Sequence, residues 1–515
     1  MRALILPVLA AQLLGLLPPA ARASVAERRE KSEVNITVTQ FPERFDPGVA
    51  SNYQHFLLLQ TAFDTLIRLS DSGRIIGSLA KRWSVNPDGT LYRFELKPGV
   101  VFHDGSPLTS KDVAYSFARH FWPDSKSAVA SHLAARLEGA ENLPKGAIPS
   151  GIRIDGDRVV SFKLKAPYAS FLSILAMPGF AVVSRDAANQ GRMVGSGPLV
   201  PRYLEKEKAW RLERNPRFHD EALKTKGFTI RLESDFSSMV RSVAAGETDL
   251  AIGAPPSEAF SAALPPNVQL IQTKSLVFVH LFLLPRNPRL QDREYRRDLA
   301  GLIYSIFEQK RYRVASQEFT PYFIPLGIMP RSYYKRSVPS TTAEAFAKKW
   351  RAPGERKLRI ILRETYFTGE ALAALRETLK QAGLEVTFDP LTPQNFQPTL
   401  DSRDYDLVSV PYMSNFSDPD GFMNYLHAGK LFPADFKPSL DLFDALQRIP
   451  AGTHDKARLD KYAKELRKFE DEWYVIPLLN VGMPLLTARG LHIPDTSYRF
   501  EAEWRGIYWE SVKAP

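Results

Sequence analysis

Leu79 to Phe117 reads LAKRWSVNPDGTLYRFELKPGVVFHDGSPLTSKDVAYSF. Asn86-Pro87-Asp88-Gly89 is a turn, because Pro presets φ and Gly accepts positive φ. Tyr92, Phe94 and Leu96 alternate with Leu91, Arg93 and Glu95, the period-two pattern of a half-buried strand. Lys97-Pro98-Gly99 turns the chain, Val100 to Phe102 restarts it as extended backbone, and Asp104-Gly105-Ser106-Pro107 turns it again. Thr109 with Asp112 three residues on forms a capping box that opens a helix, with Val113 and Phe117 on its buried face. The stretch is therefore a hairpin-rich β segment feeding a helix, and nothing in it is chemistry.

The same text closely resembles the signature of the large periplasmic solute-binding proteins of peptide/nickel-type ABC importers, solute-binding family 5. The resemblance is carried by Leu79-Ala80, Trp83, Asp88-Gly89, Tyr92, Phe94, Leu96, Gly99-Val100, Phe102 to Gly105, Pro107, Thr109, Asp112-Val113 and Tyr115-Ser116. These residues build scaffold and mark the family without marking a ligand site.

At 515 residues the chain exceeds one hydrophobic core and should divide into several units. With 44% hydrophobic and 24% charged residues it has an ordinary globular composition. Met1 to Ala23 reads as a secretory signal: Arg2, an apolar core from Ala3 to Leu17, and Ala21-Arg22-Ala23 as a small-x-small cleavage site. A membrane anchor is the rival reading, but the apolar core is shorter than the ~20 residues a bilayer needs. An exported, periplasmic protein is expected. The absence of cysteine removes any disulfide framework and any lipidated Cys. The net charge of +11 is scattered, as where Lys206 and Lys208 alternate with Glu205 and Glu207. No basic stripe points to nucleic acid.

Along the chain, Ser24 to Lys31 reads as charged and disordered, and Val34, Ile36 and Val38 as an opening strand. Phe56 to Leu66 is expected as a helix. Arg153 to Leu164 is a hairpin about Asp155-Gly156-Asp157. Val194 to Pro198 resembles the family's crossover between domains. Glycines about Ser196 raise a nucleophile reading, but the elbow and phosphate-loop patterns are absent, so a tight turn is preferred. Later, Lys357 to Leu362, a helix through Leu372, Leu375 and Leu379, Gly383, and Leu384 to Phe388 spell a βαβ unit with a parallel sheet.

The resemblance implies an α/β, two-lobed periplasmic-binding-protein fold of type II, in its three-domain variant, with mixed sheets and a hinge. It implies a division into 24–62, 195–275 and 482–515 for domain I, 63–194 for domain II and 276–481 for domain III. The nine histidines show no metal spacing, and neither cofactor nor metal is expected.

The candidate binding segment is Pro411 to Tyr425, which follows a strand, where ligands usually bind in α/β sheets. It resembles the family loop whose acidic residue pairs with a peptide's α-ammonium. Aligned on Pro419, that loop puts Tyr412 at the family's Trp and Asn415 at the acidic position, with Met413, Phe416 and Asp418 beside them. Asn415 carries no charge, so the charge-assisted contact, about twice as strong as a neutral one, is missing. Ser51, Asn52 and Tyr53 match the opposite wall. The expected function is capture of an oligopeptide-like or other small solute by a monomer, for delivery to ABC importer permease subunits. The alternatives are a secreted hydrolase recruiting Asp418 and Asp420, which turnover of a peptide or glycan panel would reveal, and a binding protein repurposed as a sensor.

Overall fold

The computed structural model describes residues 24–510 apart from 42–44, 51–52, 71–73, 128, 169, 222, 234, 260–262, 273–276, 315–316, 325–336, 352–355, 393, 414–418, 420, 422–441, 443–455, 483 and 495–505. The signal segment therefore lies outside the described residues. No described helix is long and apolar enough to cross a membrane.

The turns predicted from local chemistry are present. Gly89, Gly99, Gly105 and Gly156 all take positive φ; Gly89 separates the strands Ala80–Val85 and Leu91–Leu96, Gly156 separates Ile152–Ile154 and Val159–Lys163, and Gly99 and Gly105 turn the chain between Leu96 and the helix Ser110–Ala118. These four make one antiparallel sheet in the order Ala80–Val85, Leu91–Leu96, Val159–Lys163, Ile152–Ile154. Tyr92, Phe94 and Leu96 are buried while Arg93 is exposed, so the period-two pattern marks the core side. The helix Ser110–Ala118 opens on Thr109, whose N–H and hydroxyl both donate to the Asp112 carboxylate, at 2.9 and 2.7 Å. Phe117 then meets Phe162 and Phe180, with centroids 4.8 and 5.5 Å apart. Each such ring buried contributes about 1.5–3 kcal/mol.

A seven-stranded mixed sheet runs Val268–Gln272, Pro484–Ala488, Leu250–Ile252, Glu33–Val38, Gly227–Leu232, Ala209–Arg214, Leu199–Leu204. Its centre is parallel: Glu33–Val38 pairs in parallel with both Gly227–Leu232 and Leu250–Ile252. A second, six-stranded sheet runs Gln317–Phe319, Val475–Val481, Val277–Leu283, Leu407–Met413, Lys357–Leu362, Glu385–Pro390. Here too the expected βαβ unit is found: Lys357–Leu362 pairs in parallel with Glu385–Pro390 across the helix Gly369–Gln381, which ends at Gly383 with φ +80°. Val277–Leu283 is buried at all seven positions. Val279 and Leu281 face one core, and Phe278 and Phe282 the other. A strand covered on both faces reads as an unbroken apolar run.

The chain passes between the two large sheets twice. Val268–Gln272 leads through 273–276 to Val277–Leu283, and Val475–Val481 leads through Gly482 to Pro484–Ala488. The partners pair antiparallel on both sides, Gln272 with Pro484 and Val277 with Val481. Two lobes joined by a pair of adjacent short connections form a hinge.

Three local expectations are corrected. Ser24 to Lys31 is not disordered: Val25–Lys31 is a helix capped by Ser24 and Glu27. Its Arg28 is buried against Asp249, an anchor 221 residues away that local sequence does not show. The helix expected over Phe56 to Leu66 spans Tyr53–Ala62. It stops because the Ala62 carbonyl accepts the N–H of Gly197 at 3.0 Å. Val100 to Phe102 gives only an isolated bridge between Val101 and Pro107.

Candidate functional site between two sheet edges

In the first lobe the parallel strands Glu33–Val38, Gly227–Leu232 and Leu250–Ile252 end at one edge. Gln54 fixes the backbone there. Its Oε1 accepts the N–H of Thr39 at 2.9 Å and of Gln40 at 3.1 Å, and its Nε2 donates to Thr39 Oγ1 at 2.6 Å. Gly253 takes φ +100°, and a Cβ there would meet Gln54 Nε2 at 2.4 Å, so only glycine fits beside this clamp. Tyr53 opens the helix Tyr53–Ala62 one residue before Gln54, at this edge. Ser51 and Asn52 lie outside the described residues.

In the second lobe Lys357–Leu362, Glu385–Pro390 and Leu407–Met413 are mutually parallel and also end together. Tyr412 and Met413 are the last residues of the strand, paired with Phe278 and Val277. Ser409, fully buried, accepts the N–H of Arg363 at 2.8 Å, tying the next strand end to it. Asn415, Phe416 and Asp418, and with them Asp420, lie outside the described residues. Of the site residues expected from sequence, Tyr412 and Met413 end a strand of the second sheet and Tyr53 opens the helix beside the first; the other five lie outside the described residues.

Those two ends face each other. The short helix Pro256–Ala259, which follows Leu250–Ile252, lies alongside the turn Glu364–Tyr366, which follows Lys357–Leu362. A second contact bridges the lobes elsewhere. Arg458, on the helix Lys456–Glu470 of the second lobe, donates through Nη2 to the Ser170 hydroxyl at 3.2 Å. Arg458 is 4% exposed and Ser170 fully buried. Neither Gln54 nor this bridge was singled out by sequence reasoning. Nothing local marks either residue, since Ser170 and Arg458 are 288 residues apart.

The Ser196 turn is structural. A Cβ on Gly195 or Gly197 would come within 2.1 or 2.5 Å of the Ala62 backbone, so both glycines serve close backbone approach. Ser196 is fully buried and donates to Asp64 Oδ2 at 3.2 Å, and His219 Nε2 reaches the same oxygen at 3.0 Å. Serine and histidine both address the carboxylate, so the geometry is not that of a hydroxyl activated by a base. His103, whose Nε2 lies 3.0 Å from the Gly197 carbonyl, closes the junction, and burial lowers its pKa. Among the described residues no cluster of three or more metal-ligating side chains occurs.

Comparison with known proteins agrees with this architecture. Residues 74–431 match the family described as bacterial extracellular solute-binding proteins, family 5 Middle. The chain is 24% identical over 489 residues to the probable di/tripeptide-binding protein 5 of Pseudomonas aeruginosa strain UCBPP-PA14, covering 88% of this chain and 90% of that one. It is 24% identical over 447 residues to the probable D,D-dipeptide-binding periplasmic protein DdpA of Escherichia coli K12, with 81% of each covered. Among solved structures, the Helicobacter pylori periplasmic binding protein DppA in complex with the peptide STSA superposes with a TM-score of 0.74 at 17% identity, over 93% of this chain and 98% of that one.

Proposed function

The chain belongs to the bacterial extracellular solute-binding proteins of family 5, which bind rather than transform their ligands, and from that premise we propose that it captures an oligopeptide-like solute and passes it to the permease of an ABC importer. The observation that carries the proposal is the apposition of two sheet edges, the loops after Ile252 and Leu362 lying side by side. Ligands of α/β folds bind outside the carboxyl ends of strands, and here two such ends share one space.

The guest lies extended between the lobes, with its main chain hydrogen-bonded as an added strand. Ser51, Asn52 and Tyr53 form one wall; Tyr412, Met413, Asn415, Phe416 and Asp418 form the other. The lobes divide as 24–62, 195–275 and 482–515 with 63–194 on one side, and 276–481 on the other. Closure follows only from differential affinity, and moving a 1:99 equilibrium to 99:1 takes about 5.5 kcal/mol. The working protein is a periplasmic monomer whose leader is cleaved near Ala23.

Asn415 narrows the guest. With no carboxylate at that position, a free α-ammonium gains no charge-assisted partner there, so solutes without a free amine are favoured. Calorimetry with short peptides, free and N-acetylated, tests this. Comparable or better binding of the acetylated form is expected. Tight binding lost on acetylation would overturn the amine argument, and failure of every peptide would move the guest to another chemical class.

A further inference from the structure

Two anchored segments of opposite lobes meet beside the cleft. The helix Pro256–Ala259 is fixed in the first lobe. Ala254 and Ala259 are each 1% exposed and share a core with Met239 and Val243, and the Ala259 N–H donates to the Pro255 carbonyl at 2.9 Å. Pro255 and Pro256 restrict φ where the helix begins. In the second lobe the turn Glu364–Tyr366 is tied at three points. The Arg363 N–H donates to Ser409 Oγ at 2.8 Å, Gln317 Nε2 donates to the Tyr366 carbonyl at 2.7 Å, and the Phe367 N–H donates to the Glu364 carbonyl at 2.8 Å.

Each segment follows a strand that neighbours a wall strand. Leu250–Ile252 lies beside Glu33–Val38 in the first sheet, and Lys357–Leu362 beside Leu407–Met413 in the second. Neighbouring strands are ~4.8 Å apart. In the first lobe the link to the wall is direct: a Cβ on Gly253 would stand 2.4 Å from Gln54 Nε2, and Gln54 follows Tyr53. In the second it runs through Ser409, on the strand that ends in Tyr412 and Met413. Cα atoms of the helix and of the turn come within 8 Å of each other. A guest backbone threading between them would need two strand spacings, ~10 Å, so that way is shut.

We propose that these two segments form an end stop that sets how far a guest reaches along the cleft, an inference that rests on the reading of the chain as a protein capturing an extended solute. Past the walls on this side there is room for about one strand spacing, ~5 Å, which is less than two residues of extended chain at ~3.3 Å each. The guest class is therefore a short peptide or similar solute with one terminus against the stop, not a long chain running through. Main-chain pairing alone puts no limit on length, so the stop supplies it. Glu258 and Thr365 are exposed on the two segments, which makes the stop open to redesign.

Calorimetry on the exported chain with N-acetyl-Ala-Phe-Ala, and with the same peptide lengthened by Gly-Gly at its amino or its carboxyl end, tests the stop. Lengthening at one end at least should weaken binding tenfold or more. Deleting Ser257 and Glu258 should narrow that gap at least fivefold, and Thr365→Trp, at an exposed position, should widen it. A merely structural effect would move parent and lengthened peptide together. Affinities within threefold for all three peptides, or a gap that neither variant changes, would overturn the proposal. The chain has no cysteine of its own, so Glu258→Cys with Thr365→Cys can be bridged unambiguously by a short bismaleimide. The bridge should form when the protein is saturated with the solute that co-purifies with it, and a saturated protein that never bridges would overturn the stop. If no peptide binds, the bridge still decides: its formation upholds the stop and counts only against the peptide reading.

Discussion

Arg28 grips Asp249 through two parallel bonds, Nε to Oδ2 at 2.7 Å and Nη2 to Oδ1 at 2.6 Å, with both side chains almost wholly buried. The pair ties the first helix to the strand Leu250–Ile252, while Asp249 Oδ2 also accepts the N–H of Asn35 at 2.8 Å. Burial pushes the Asp249 carboxyl up, against the pull of Arg28. Removing one partner strands the other charge, at a cost of about 3–5 kcal/mol. Arg28→Met should therefore lower the urea midpoint sharply, and Arg28→Met with Asp249→Leu should recover much of the loss. A double variant no more stable than the single one would mean that the cost lies in packing.

The Arg458–Ser170 bond joins the lobes away from the hinge, so opening breaks it. A hydrogen bond to a charged group contributes about 1.5–3 kcal/mol. Arg458→Ala should weaken guest binding by roughly ten- to a hundredfold through the closure equilibrium, and enlarge the radius of gyration of the unliganded protein. Unchanged affinity and dimensions would show that the contact does not bias closure.

Acid should destabilise the protein through three histidines. Burial holds His280 and His120 down to a pKa of about 3 and His132 to about 4. In the unfolded chain each titrates near 6.5, so the unfolded state binds more protons between those values. Stability is full above about pH 6.5 and falls as pH drops, by up to about 1.4 kcal/mol per pH unit for each histidine. Among the described residues both ring nitrogens of His280 also lack a partner, the ring lying among Phe278, Phe282 and Phe323. Urea titrations at pH 7, 6 and 5 should show the decline. His280→Leu should reduce its slope and raise stability at pH 5, and an unchanged slope would contradict the assignment.

Gly195→Ala places a methyl group 2.1 Å from the Ala62 carbonyl oxygen. Backbone cannot yield as a side-chain tip does, so the loss should exceed that of an ordinary surface change, about 0.5 kcal/mol. Differential scanning calorimetry of Gly195→Ala beside Gly191→Ala separates close approach from positive φ. Gly191 has φ +76° and open space where a Cβ would stand. A milder effect at Gly195 than at Gly191 would contradict the close-packed crossover.

Sequence made visible whatever is decided locally. The turns at Gly89, Gly105 and Gly156, the Thr109–Asp112 cap and the alternation through Tyr92, Phe94 and Leu96 each follow from a few neighbouring residues. Contacts set by distant partners stayed hidden. Val25–Lys31 is held by Asp249, the helix from Tyr53 is stopped at Ala62 by Gly197, and the lobes meet through Arg458 and Ser170. Of the candidate site, Tyr412 and Met413 end the strand Leu407–Met413 and Tyr53 opens the helix Tyr53–Ala62, while the remaining residues lie outside the described ones.

The most direct test is small-angle X-ray scattering on the protein stripped of ligand, alone and saturated with whatever solute co-purifies with it. Two lobes folding about the paired crossings at Gln272–Val277 and Val481–Pro484 predict a smaller radius of gyration and a shorter maximum dimension on saturation. Superposable profiles at demonstrated one-to-one occupancy would contradict the account.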